Sequence, residues 1–248
     1  MRRIEIFGPP GVGKTTLRKR LVRSLRIRGT ECWDQSNLPL LHLIECQTNS
    51  VLNEFVRMRL FPAAAMRWST LDTVRRRFTS RVLTAIERDG TWRLTAEEWA
   101  SGMSRSESPI GIRLVRGRMF SDCLAEARYI EESRFNGVGF LDEGLVQCGF
   151  SLAFSGVEDS VVQRYFEAMP MPALFIRLYA KEETISERLT HRDGARGRFS
   201  GILSRAKNIA RLAESVVEKR GGVVLIVNSD EDLKRQINGL LKMGLIER

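Results

Sequence analysis

Apolar residues along the chain gather into two kinds of pattern. Four short unbroken runs, Ile4–Gly8, Val138–Asp142, Ala173–Leu178 and Val223–Val227, read as strands buried on both faces, as in a parallel sheet covered by helices. Glu31–Asp34 (ECWD) is a shorter strand candidate between the first two. Elsewhere apolar positions recur every three or four residues, the spacing of helices with one buried face. Leu17, Leu21, Val22 and Leu25 mark one helix, and Leu71, Val74, Phe78, Val82, Leu83 and Ile86 another. Ile202 to Val217 predicts a long amphipathic helix, and Leu233, Ile237, Leu240 and Leu241 a last one. Ser155 and Glu158 have capping-box spacing before Val161, Val162, Tyr165 and Phe166, and Ser229 with Asp232 is placed to cap the last helix. The alternation predicts a doubly wound α/β fold, a five-stranded parallel sheet flanked by helices in three layers. Residues 35–136 contain no convincing strand and read as a helical insertion before the third strand, within one domain spanning residues 1–248.

The first strand and first helix enclose Gly8-Pro9-Pro10-Gly11-Val12-Gly13-Lys14-Thr15-Thr16. Residues 8–15 match G-x-x-x-x-G-K-[ST] in the strand-to-helix context that motif requires. Glycines let successive backbone N–H groups approach an anion, and the helix N-terminus adds partial positive charge. Gly8 to Thr16 are therefore candidate ATP-binding residues. Lys14 is placed to reach the β- and γ-phosphates, and the Thr15 hydroxyl to ligate Mg²⁺. With this loop, the predicted architecture becomes a three-layer P-loop NTPase fold.

Two further stretches carry candidate chemistry. The run before Asp142 and Glu143 ends as a strand tipped with two carboxylates. Beside a phosphate loop such acids can hold Mg²⁺ through water, or accept a proton from an attacking hydroxyl. The helix dipole alone also favours acids at such a position. Asp34, at the end of the weak second strand, is the other candidate to orient or deprotonate an acceptor. Downstream, residues 190–199 fall between two helical patterns, one ending at Leu189 and one starting at Phe199 and Ile202. Glycines allow movement there, and Arg192, Arg196 and Arg198 supply fixed planar charge. That equipment suits a lid over a transferring phosphoryl group, and equally a solvated basic turn. His191 reads as a surface helix end.

Composition alters this picture in three ways. The net charge of +10 points to anionic partners: ATP, a phosphorylated small molecule or nucleic acid. Arginines crowd the insertion at 57, 59, 67, 75, 76, 77, 81, 113, 116 and 118. Cys32, Cys46, Cys123 and Cys148 are scattered without a C-x-x-C pair, the pattern of reduced core thiols. No apolar run approaches membrane-span length and no signal pattern precedes the first strand, so the expectation is a cytoplasmic protein without a membrane partner. A homodimer is compatible with all of this.

The phosphate loop near Met1, the acidic tip in FLDEG and the helix–arginine-loop–helix of ERLTHRDGARGR together resemble the P-loop kinases of the nucleoside/nucleotide kinase superfamily, in particular thymidylate-kinase-like proteins. The resemblance spans the whole chain as an order of parts. It implies ATP–Mg²⁺ as phosphoryl donor, an acceptor bound by helices after the second strand, and a closing lid. Thymidylate and deoxynucleoside kinases commonly carry an arginine after the strand-tip acid, whereas Glu143 and Gly144 follow Asp142 here.

The activity expected is therefore transfer of the γ-phosphoryl group of ATP to a small hydroxyl-bearing or anionic acceptor such as a nucleoside, nucleotide or sugar. Two alternatives stand beside it. A kinase acting on a nucleic-acid hydroxyl would use the basic insertion along a phosphate backbone, although no aromatic-interleaved basic stretch supports strand binding. An AAA-type ATPase would use Asp142 and Glu143 as a paired acid site. Against it stand the long separation of the two motifs and the lack of a helical subdomain after the last strand. IVNSD (Ile226–Asp230) is not the N-K-x-D guanine reader of a GTPase.

Overall fold

The computed structural model describes residues 1–35, 38, 41, 68–193, 200–244 and 246. Its strands are β1 (Arg2–Phe7), β2 (Cys32–Asp34), β3 (Val138–Leu141), β4 (Leu174–Tyr179) and β5 (Val224–Asn228). They form one sheet, entirely parallel, in the order β2-β3-β1-β4-β5. Ile4 lies opposite Phe140 on one side and Leu174 on the other, so β1 is the central strand. The chain adds β2 and β3 to one side of β1 and later β4 and β5 to the other. The change of direction falls at β1, where ligands of such sheets bind beyond the strand ends.

The described helices are α1 (Lys14–Ile27), α2 (Trp68–Ile86), α3 (Gly90–Ser104), α4 (Ile110–Glu132), α5 (Leu145–Ala153), α6 (Asp159–Ala168), α7 (Glu182–Asp193), α8 (Ser200–Lys219) and α9 (Leu233–Lys242). Strand alternation divides the core. Ile4 and Ile6 face Leu17, Leu21 and Leu25 of α1, Ile185 and Leu189 of α7, and Ile237, Leu240 and Leu241 of α9. Phe7, Leu141 and Phe175 face the larger cluster built by α2–α6 and α8, with Phe78, Trp99, Phe120, Tyr165 and Phe166. Trp99 stacks on Phe120 at 4.3 Å between ring centroids. No helix among the described residues is long and apolar enough to cross a membrane.

The insertion between β2 and β3 is helical where it is described, carrying α2, α3 and α4. Cys46, Arg57, Arg59 and Arg67 lie outside the described residues. Cys32, Cys123 and Cys148 are buried.

Three expectations change. β5 is not covered on both faces: it is an edge strand, and Ile226 is 55% exposed. The Ser155–Glu158 capping box does not form. Glu158 is the N-cap of α6 without a side-chain bond to the helix backbone, and the Ser155 hydroxyl donates to Ser151 O at 2.7 Å. Asp232 alone caps α9, accepting from Lys234 N at 2.9 Å, while Ser229 serves another contact.

Candidate phosphate-binding and phosphoryl-transfer site

The loop from Gly8 to Thr15 leaves the tip of β1 and turns into α1. Gly8, Gly11 and Gly13 all have positive φ, at 149°, 78° and 101°. Gly8 is required twice over, because a Cβ there would lie 2.5 Å from Leu178 O as well as straining the backbone. Gly13 is the N-cap of α1 with no side-chain cap, which leaves the first N–H groups of that helix for an anion. Lys14 Nζ donates to Gly8 O at 3.0 Å and Pro9 O at 3.3 Å, so the ammonium curls back over the loop. Backbone donors, helix terminus and lysine thus converge on one concavity.

β3 delivers the acids beside it. Asp142 is 5% exposed, and both its oxygens are engaged. The Thr15 hydroxyl donates to Oδ2 at 2.7 Å, and Arg18, one helical turn further along α1, stands 3.4 Å from Oδ1. Glu143 is exposed and lines the cavity above the loop. Adjacent carboxylates in one turn therefore face different surroundings.

That turn is fastened from below by three buried groups. Glu5, on β1, accepts from Val146 N at 2.9 Å and so caps α5 from another strand. Tyr165 donates to Leu145 O at 2.8 Å, and Cys123 Sγ donates to Glu143 O at 2.7 Å. Gly144 has ordinary φ, but a Cβ there would meet Glu5 Oε2 at 2.6 Å. Glycine at 144 is thus set by the approach of a buried carboxylate. Glu5 is 1% exposed, and burial raises its carboxyl above the usual range against the opposing pull of Arg3 and the N–H groups of Val146 and Leu145. A hydrogen bond with Cys148, then burial, pushes the Cys123 thiol well up. Burial does the same to Tyr165.

Above the loop opens a cavity of about 690 Å³, walled by residues 10–16, Glu143, Gln147, Arg188, Leu189, Ser229 and Leu233. Arg188 of α7 donates to Val12 O at 3.2 Å and to Ser229 Oγ at 3.0 Å, tying the phosphate loop to the loop after β5. Gln147 Oε1 is buried without a hydrogen-bond partner.

Gly8 to Thr16, Asp142 and Glu143 are brought together as the sequence predicts. Asp34 is not with them. It lines a separate hollow of about 440 Å³ with Lys19, Val22, Arg23, Arg26 and Ile27. α7 continues past Leu189 to Asp193, so Arg192 lies in a helix and not in a loop. The Arg192 side chain, Arg196 and Arg198 lie outside the described residues. Arg18, Gln147, Arg188 and Glu5 escaped the sequence reading. One signal for Arg188 was available: Ile185 and Leu189 set the inward side of α7, and Arg188 adjoins it.

The donor set fits Mg²⁺. One hydroxyl and one carboxylate, both hard oxygen ligands, meet at the mouth of the loop, and this ion commonly completes its shell with water and phosphate. Among the described residues no group of three or more His, Cys, Asp or Glu could hold a metal without such help.

No protein-family model matches the chain, and no curated protein matches it in sequence. Among solved structures it is similar to deoxyadenosine kinase from M. mycoides with products dCMP and a flexible dCDP bound, at 13% identity and TM-score 0.45, over 97% of each chain. The same enzyme with bound dCTP gives 14% identity and TM-score 0.43, over 97% of each chain. With bound dATP it gives 13% and 0.43, over 97% of this chain and 98% of that one.

Proposed function

We propose that the protein is an ATP-dependent phosphotransferase acting on a small hydroxyl-bearing or anionic acceptor. The observation that carries this reading is the Thr15–Asp142 hydrogen bond at the mouth of a glycine-rich phosphate loop, with Glu143 exposed over the same cavity. The loop N–H groups and Lys14 hold the β- and γ-phosphates of ATP. Thr15 and Asp142 would hold Mg²⁺, which when bound would supply positive charge to offset that of the phosphates. Arg18 keeps Asp142 oriented, so Asp142 serves to position and not as the base. Glu143 is the carboxylate free to orient the acceptor hydroxyl and take its proton, and the Gln147 carbonyl oxygen can accept a hydrogen bond from the same acceptor. Arg188 adds fixed charge on the opposite wall. The acceptor enters from the side of the β2–β3 insertion.

An exposed Glu143 supports a second reading, in which it activates water and the protein hydrolyses ATP. Asp142→Asn and Glu143→Gln separate the two. Each variant is assayed with labelled ATP for transfer to nucleosides, nucleotides and sugars, and for phosphate release without acceptor. Under the first reading Glu143→Gln lowers transfer by about a hundredfold, the scale of a lost general base, and acceptor-free hydrolysis stays slow throughout. Rapid acceptor-free hydrolysis abolished by Glu143→Gln establishes the second.

A further inference from the structure

The positive charge of the chain is not spread evenly over its surface. α1 contains six basic residues and no acidic one, and α9 three basic and no acidic. These helices pack side by side on the same side of the sheet, sharing Leu17, Leu21, Leu25, Ile237, Leu240 and Leu241 in one core cluster. Their outer surfaces carry Lys19, Arg20, Arg23, Lys234, Arg235 and Lys242, all exposed. Among the described residues none of these six side chains makes an ion pair.

Several basic residues elsewhere are matched. Arg93 pairs with Glu97 at 3.5 Å, Arg164 with Glu98 at 3.4 Å and Lys207 with Glu182 at 2.9 Å, while Arg177 meets Glu214 and Arg205 meets Asp159. Six like charges left together on one surface repel each other, and nothing in the core requires them there. Such an arrangement attracts a polyanion.

We propose that the outer surface of α1 and α9 docks the phosphate backbone of a nucleic-acid duplex, independently of sequence. Three observations favour this occupant. From Lys19 to Arg23 the exposed bases run about 6 Å along α1, a length over which duplex DNA presents about three or four charges. Neither helix contains an aromatic residue, which disfavours single strands, whose binding relies on stacked bases. Among the described residues the large exposed apolar side chains here are Ile27 and, just past α9, Met243, too few for the apolar side of a membrane-surface helix. Acids do adjoin the surface: Asp232 at the start of α9 and Asp34 beside Arg23. Asp232 is occupied as a helix cap. The proposal does not depend on the phosphoryl-transfer reading, because none of the six residues touches the cavity above the phosphate loop.

The test is fluorescence anisotropy with the full chain and a labelled random-sequence duplex of about 20 base pairs, titrated between about 50 and 200 mM salt. The duplex should bind with a log–log salt slope of about −3 or steeper, as several released counterions demand. Arg23→Glu with Arg235→Glu should weaken binding at least about tenfold. Arg81→Glu with Arg211→Glu, the same change of net charge on exposed residues of α2 and α8, should weaken it much less. Circular dichroism melting of both variants checks that they fold. Lack of duplex binding at the lowest salt overturns the proposal. So does an equal loss in both double variants, which would mean net charge alone, or stronger binding to phosphatidylserine vesicles or to the single strand than to the duplex.

Discussion

The two sides of the sheet solve the placement of charge in opposite ways. Beneath α2–α6 and α8, charge is taken into the protein. Arg3 and Glu5, each 1% exposed, sit on β1 facing the aromatic core. Arg3 lies 3.6 Å from Glu5 and 3.1 Å from Glu131, and donates to Pro170 O. The Arg3 and Arg128 guanidinium groups each lie 5.5 Å from the Trp92 ring, contacts worth about 0.5–2 kcal/mol apiece. Beneath α1, α7 and α9 the core is almost wholly aliphatic, and the bases stand outside it. Charge on the first side is structural: Glu5 fixes the start of α5 and with it Asp142 and Glu143. The exposed bases of α1 and α9 contribute a field, and little to the fold.

The contrast breaks most sharply at Arg3. Arg3→Ala leaves Glu5 buried without its cation, and loss of one partner from a buried pair costs about 3–5 kcal/mol. Urea denaturation measures it, and a loss under about 1 kcal/mol would mean that the pair is ornamental. Gly144→Ala comes next. The new methyl must displace a carboxylate that Arg3 and Val146 hold in place, an overpacking cost of about 1–3 kcal/mol. Transfer activity should fall further than stability alone accounts for, because the turn carrying Asp142 and Glu143 moves with the start of α5.

Glu5 sharpens the comparison through pH. Burial raises its folded-state pKa above the ordinary 4.5, so the folded protein holds that proton more tightly than the unfolded chain. Its contribution is fully present below 4.5 and is lost as pH rises through the higher folded value. Glu5→Gln removes the titration. Melting curves from below 4.5 upward should show wild-type stability declining relative to the variant, whereas a constant gap would mean that Glu5 titrates alike in both states. The smallest effect belongs to the other side of the sheet. Arg23→Ala should change stability by less than about 0.5 kcal/mol, as exposed unpaired side chains do.

What the sequence determined by itself is local. Apolar runs and helical spacing specify strands and helices, because each pattern is a property of consecutive residues with one fixed repeat. The phosphate loop is legible for the same reason: its glycines, Lys14 and Thr15 act within nine residues. Asp142 and Glu143 are legible as a strand tip beside that loop. The tertiary structure alone decided how those two acids differ. Arg18 reaches Asp142 because the start of α1 lies beside the tip of β3, while Glu143 faces the cavity. Only strand order places Glu5 under the first turn of α5, 141 residues away along the chain. It likewise puts Asp34 in a hollow beside α1 and not among the walls of the cavity above the phosphate loop, and sets α9 beside α1 so that two basic helices adjoin. Each of these is a contact between residues far apart in sequence. No repeat within one segment encodes such a contact; it is decided by which strand pairs with which, and by the helix faces that the pairing buries.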